Sequence, residues 1–267
     1  MAVMNFRIVL LLAAVLALAG AEKRTQVPVR SRLELFKGSG QWQEARFDYG
    51  LPLDHTAIVV CDMWDKHWCR GASQRVGEMV PKANAFLKQA RAAGLLIVHA
   101  PSETMDFYKS APQRLAFQKI PKLDPPTPLD LKDPVLPVDS ADGGCDTPDS
   151  FYKAWTRQHA GIEIGANDYI SDNGQEIYNL LKLRGVTHLL VMGVHTNMCI
   201  LNRSFAIRSM TKWGMKCLLI RDLTDSMYDP NDAPHVSHDR GTALIVEHIE
   251  KYWAPTLVSA DLLKALH

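Results

Sequence analysis

One cysteine stands where a nucleophile would be placed. The stretch HLLVMGVHTNMCILNRS, residues 188–204, is an apolar run that breaks at Gly193 and restarts with helical spacing at Cys199. Such a turn lifts one side chain to the rim of a sheet, and the unpaired amide N–H groups of a helix start favour negative charge there. A thiol attacks as its thiolate, so Cys199 needs a base or a lowered pKa. An aspartate at hydrogen-bond distance could take the proton. The same amides that stabilise the thiolate could hold the oxyanion of a tetrahedral intermediate. The plainer reading is a small core hydrophobe, as most unpaired cysteines are.

The elements that must position these groups are legible as a pattern. Apolar, strand-like runs occur at residues 56–63, 95–100, 187–194 and 215–222. Helical spacing occurs at 77–94, 197–214 and 237–253, with Gly94 and Gly214 as stops. Strands apolar throughout, alternating with amphipathic helices, predict a parallel sheet covered on both faces. Ligands of such sheets bind at the carboxyl ends of the strands. That rule selects Asp62, residues 102–106, residues 194–199 and residues 222–225, and it places Asp62 and Cys199 in one cleft.

The chain has 267 residues, 47% apolar and 22% charged, with a formal net charge of +1. A packed core is expected, with no general attraction for nucleic acid or acidic membranes. Residues 1–21 read as a cleavable signal peptide: Arg7, an apolar stretch over 8–18, then Ala19-Gly20-Ala21. The mature protein is therefore expected to be secreted or periplasmic, without stable membrane insertion. Residues 22–54 read as an N-terminal arm of little periodicity, and 55–267 as one domain with a Pro/Asp-rich insertion at about 119–151. The five cysteines are an odd number in an exported chain, so at least one thiol stays free. Cys61 and Cys217 lie in apolar runs, and Cys69–Cys145 is the favoured disulfide because both sit in polar, loop-like surroundings.

The segment VVCDMWDKHW, followed much later by LLVMGVHTNMCILNRSFAI, resembles the isochorismatase-like cysteine hydrolases, the group that includes nicotinamidases and N-carbamoyl amidohydrolases. The resemblance covers residues 56–253, and its specific part is the late G-V-x-T-x-x-C turn. It implies an α/β fold, a three-layer α/β/α sandwich around a mainly parallel sheet, and often a homo-oligomer. It also implies an Asp–Lys–Cys triad that hydrolyses amide-type bonds through a thioester. Carried onto this chain, it makes Asp62 the general base and Cys199 the nucleophile, puts the oxyanion donors at the backbone N–H groups of His195 and Cys199, and places a non-proline cis peptide at Val194–His195.

The chain departs from the family at the lysine. Where the family has it, this sequence reads Ala166-Asn167-Asp168. Lys109, Lys153 and Arg157 are the candidate substitute cations, and one of them is expected near Asp62. Asp168 close to the cleft would raise the thiol pKa. Trp64, Trp68, Phe107 and Tyr108 follow the first two strands and are candidates for an aromatic pocket wall, with Asn167 and Asp168 as polar pocket residues. Nicotinamidases use an Asp-x-His pair and further histidines after the second strand; here HAPSETMDFYKS carries Glu103 and Asp106 but no such pair, so no metal or other cofactor is expected. The favoured reading is an exported cysteine hydrolase of a small amide or carbamoyl compound. The alternatives are a catalytically silent relative that binds a small ligand, and a lysine-independent hydrolase of a non-amide bond.

Overall fold

The computed structural model describes residues 24–266. The segment read as a signal peptide lies outside the described residues. The strands are β1 (Arg24–Glu34), β2 (Trp42–Pro52), β3 (Thr56–Cys61), β4 (Leu96–Ala100), β5 (Tyr169–Ile170), β6 (His188–Val194), β7 (Lys216–Asp225) and β8 (Thr256–Leu257). They form one sheet in the order β2-β1-β8-β7-β6-β3-β4-β5. β3 to β8 pair in parallel, whereas β1 pairs antiparallel with both β2 and β8.

The helices are α1 (Arg70–Ala92), α2 (Met105–Tyr108), α3 (Pro112–Leu115), α4 (Gly174–Leu183), α5 (Cys199–Asn202), α6 (Ile207–Lys212), α7 (His238–Tyr252) and α8 (Ser259–Leu266). Alternation along β3 divides the core. Ile58 and Val60 pack with α1 and α8 residues such as Phe86, Leu87 and Leu262. Ala57, Val59 and Cys61 pack with Leu180, Ile207 and Ile249 from α4, α6 and α7. Residues 57–61 of β3 are thus apolar whichever way they point, because both faces are covered. The result is a three-layer α/β/α sandwich around a mainly parallel sheet. Among the described residues, no helix is long and apolar enough to cross a membrane.

Two elements differ from the sequence expectation. The arm at 22–54 is a hairpin, β1 with β2, that extends the sheet at one edge. Its two-residue periodicity is weak because only Val27 and Val29 of β1 are fully buried. The helix expected over 197–214 is broken into α5 and α6. The break seats Ser204 against the start of α4: Gly174 N donates to Ser204 Oγ at 3.0 Å, and a Cβ on Gly174 would lie 2.2 Å from the Ser204 carbonyl oxygen. The insertion carries no helix or longer strand between Lys119 and Tyr169, but it is tied to the body. Leu129 N donates to Lys212 O at 2.9 Å and Asp139 N to Ala233 O at 2.8 Å. Cys69 and Cys145 are joined in a disulfide, their Cα atoms 5.7 Å apart.

Candidate active site

β3 and β6 are adjacent, and both end at the same rim. Their approach is close: a Cβ on Gly193 would lie 2.0 Å from Cys61 O, and Gly193 has φ +111°, so only glycine fits. The chain then passes the cis peptide Val194–His195 and enters the turn that presents Cys199. Met198 N and Ile200 N both donate to His195 O, at 2.9 and 3.2 Å. The end of β7 and the segment after it clamp this turn. Thr196 N donates to Asp225 O at 2.8 Å, and the Asn197 side chain exchanges two hydrogen bonds with the Met227 backbone, at 2.7 and 2.9 Å.

Asp62 follows β3 with φ +48°, a left-handed conformation that aspartate tolerates better than most residues. Its side chain is fully buried. Oδ1 accepts from Ser102 N at 2.7 Å and Oδ2 from Arg203 Nε at 3.0 Å. The Cys199 thiol lies beside the same carboxylate, with the His195 backbone N–H near the sulfur. Cys199 is a free, partly exposed thiol. Asp62 and Cys199 therefore stand together, with a backbone donor beside the sulfur.

The charges decide the resting state. Burial drives the Cys199 thiol far above its ordinary pKa, and the neighbouring Asp62 charge adds to this; Arg203 and the His195 N–H oppose it. Burial also raises the Asp62 carboxyl, against Arg203 and the hydrogen bonds from Cys199 and Ser102. The two groups are one titrating unit. Burial and their mutual repulsion disfavour two negative charges on the pair. Two histidines are close but supply no charge. Burial pulls His67 down to about 4 and His195 to about 3, and their rings meet edge-on at 4.9 Å.

The cation beside Asp62 is Arg203, not Lys109, Lys153 or Arg157. Lys153 Nζ donates to Glu103 O at 3.0 Å. The Arg157 guanidinium lies over the Phe107 ring, 5.3 Å from its centroid. Lys109 lines a surface depression with Asp106 and Arg114. Arg203 begins one helical turn after Cys199, with its N–H donating to Cys199 O at 3.1 Å. The C-x-x-x-R spacing was readable as two residues on one helix face; a search confined to the upstream region passes over it.

The expected pocket residues divide. Trp64 joins the site: its ring lies under the Arg203 guanidinium at 6.0 Å and stacks on Trp155 at 4.5 Å. With His67, His195 and Asp62 it lines a cavity of about 10 Å³, no larger than the space of a single water. Trp68 pairs edge-on with Phe151 along a separate groove past Gly143. Tyr108 is buried, its hydroxyl accepting from Gln158 N at 2.9 Å, while Phe107 is exposed beside it. Asn167 and Asp168 line a depression at the amino end of β4 that contains no reacting group. Asp168 does not load the thiol with negative charge. It is held by Arg91 Nη2 at 2.7 Å, His99 Nε2 at 2.9 Å and Gly165 N at 2.7 Å. Among the described residues, the cluster with metal-ligand spacing is Cys69, Cys145 and Asp149, whose two sulfurs are already bonded to each other.

No family model matches the chain. No curated protein matches it either. Among solved structures, it is similar to a cysteine hydrolase from Pseudomonas syringae pv. phaseolicola 1448A, with 16% identity over 82% of this chain and 95% of that one, at a TM-score of 0.53. It is also similar to an isochorismatase family protein from Burkholderia thailandensis, with 17% identity over 80% of this chain and 96% of that one, at a TM-score of 0.46. Identities this low speak to architecture, and the first of these likenesses carries that argument. The chain has the fold of the isochorismatase-like cysteine hydrolases.

Proposed function

We propose that the protein is a cysteine hydrolase that cleaves a small amide or carbamoyl compound. The observation that carries this reading is the free Cys199 thiol at the turn after β6, beside the fully buried Asp62 carboxylate at the end of the adjacent β3. As sulfur attacks the carbonyl carbon, the thiol proton passes to Asp62. The oxyanion forms beside the His195 and Cys199 amides. Asp62 then gives its proton to the departing nitrogen, the C–N bond breaks, and a Cys199 thioester remains. Water attacks the thioester and loses a proton to Asp62. The C–S bond breaks, and that proton returns to sulfur.

Export belongs to the same proposal. It is supported by the apolar segment before Glu22 and by the Cys69–Cys145 bridge, a bond that persists in oxidising compartments. A homo-oligomer belongs to it too, supported by Leu33, Leu35, Phe36 and Phe47 exposed on the β1–β2 hairpin. The test is a panel of small amides and carbamoyl compounds assayed for ammonia release, with the quenched enzyme weighed by mass spectrometry. Turnover with an acyl adduct on the Cys199 peptide is expected. Turnover that survives Cys199→Ala would overturn the mechanism.

A further inference from the structure

We propose that Arg203 is the positioning residue that holds the Asp62 carboxylate ionised and aimed at Cys199, taking over from the nucleophile's own helical turn the work of the missing lysine. The inference rests on the hydrolase reading above. It starts from a burial problem. Asp62 is fully buried, and a buried carboxylate without a cation takes up a proton instead of remaining a base. Among the described residues, Arg203 forms the ion pair to it, Nε to Oδ2 at 3.0 Å.

The remaining groups around the carboxylate offer no substitute. Cys199 faces it from α5 and Cys61 precedes it on β3; both bear either no charge or a negative one. Glu103, after β4, is an anion and faces the far side of Arg203, with Nη1 and Nη2 both 3.3 Å from Oε1. His67 and His195 are neutral. Lys66 lines the adjoining cavity but forms no ion pair with Asp62.

The guanidinium suits this place for reasons a lysine would not share. Its planar fork has separate donors, so Nε can serve Asp62 while both Nη groups serve Glu103. Its central carbon lies 6.0 Å from the centre of the Trp64 ring, at the outer range of a cation–π contact. It keeps its proton at any pH at which the protein stays folded. The backbone hydrogen bond from Arg203 N to Cys199 O, 3.1 Å, closes the turn that carries both residues. Nucleophile and cation are therefore placed by one short element, with the base between them.

The test needs no substrate. Cys199 is alkylated with iodoacetamide across a pH series, and the labelled peptide is counted in the wild type, Arg203→Ala, Arg203→Gln and Arg203→Lys. Loss of the cation should move the apparent inflection for Cys199 labelling upward by about 1–3 units in the Ala and Gln variants. Arg203→Lys should stay nearer the wild type. Millimolar guanidinium should return Arg203→Ala toward the wild-type profile, while equal sodium chloride should not. If the Ala variant does not fold, Arg203→Gln carries the same reading. Wild-type inflections in both neutral variants, with Cys199 still labelled, would overturn the role of Arg203 and leave the cysteine mechanism standing. Wild-type protein whose Cys199 resists alkylation at every pH would overturn both.

Discussion

His238 Nε2 lies 2.8 Å from Asp225 Oδ1, while its Nδ1 faces the Tyr228 carbonyl oxygen at 2.9 Å. An imidazole that donates from both nitrogens carries its second proton. Burial pulls the His238 pKa down, but the hydrogen bond and charge of Asp225 more than offset this, and it sits above the ordinary histidine value. The Asp225 carbonyl in turn holds Thr196 N in the turn before Cys199. Because the folded pKa is raised, this stabilisation is fully present below the unfolded value of about 6.5 and is lost as pH rises through the folded value. We predict that His238→Gln costs about 1–3 kcal/mol at pH 5–6 and progressively less at alkaline pH. Melting curves of both proteins across pH check this; a gap that does not change with pH would count against it.

Asp62→Asn keeps the shape of the side chain and removes the proton acceptor. Hydrolysis should fall by about two to four orders of magnitude. Alkylation of Cys199 should persist at alkaline pH, because Arg203 then faces the thiolate with no competing carboxylate. Parallel ammonia-release and labelling assays separate these outcomes. Loss of labelling at every pH would mean that Asp62 shapes the site and does not act as its base.

The sheet, its two covered faces and the meeting of Asp62 with Cys199 were legible because each rests on local pattern: apolar runs, stop glycines and the carboxyl-end rule. The hairpin β1–β2 was not, because an edge pair with one poorly covered face leaves little alternation. The break between α5 and α6 was not, since Ser204 is seated by Gly174, thirty residues earlier in the chain. Arg203 was within reach of helix periodicity. The family pattern directed attention upstream to Ala166-Asn167-Asp168, where Asp168 turned out to serve Arg91 and His99.

Gly193→Ala should be severe. The new methyl would sit 2.0 Å from Cys61 O, on a central strand whose neighbours are all buried, at a φ of +111° that L-residues avoid. Neither strand can give way without disturbing the Asp62 and Cys199 ends. We predict a loss above about 3 kcal/mol, the range of strained backbone plus overpacking. Soluble yield and denaturant midpoint are the readouts. A variant within about 0.5 kcal/mol of the wild type, as for an ordinary surface change, would show that the strand contact is looser than described.

The Cys69–Cys145 bridge closes a loop with a sequence separation of 76. It joins the residue before α1 to the segment carrying Asp146, which pairs with Arg75 on α1. Cys69 and Met227 share a small cluster with Trp68 and Met198, and Met198 precedes Cys199. The bridge therefore restrains the unfolded chain and ties the long loop to the rim of the site. By the chain-entropy account, Cys69→Ser with Cys145→Ser should cost roughly 4 kcal/mol, or roughly 8–16 °C in Tm. Labelling of Cys199 should keep its pH profile, because Asp62, Arg203 and the His195 amide are held by other contacts. A melting temperature unchanged between the oxidised wild type and the double variant would mean that the loop is pinned by its polar contacts alone.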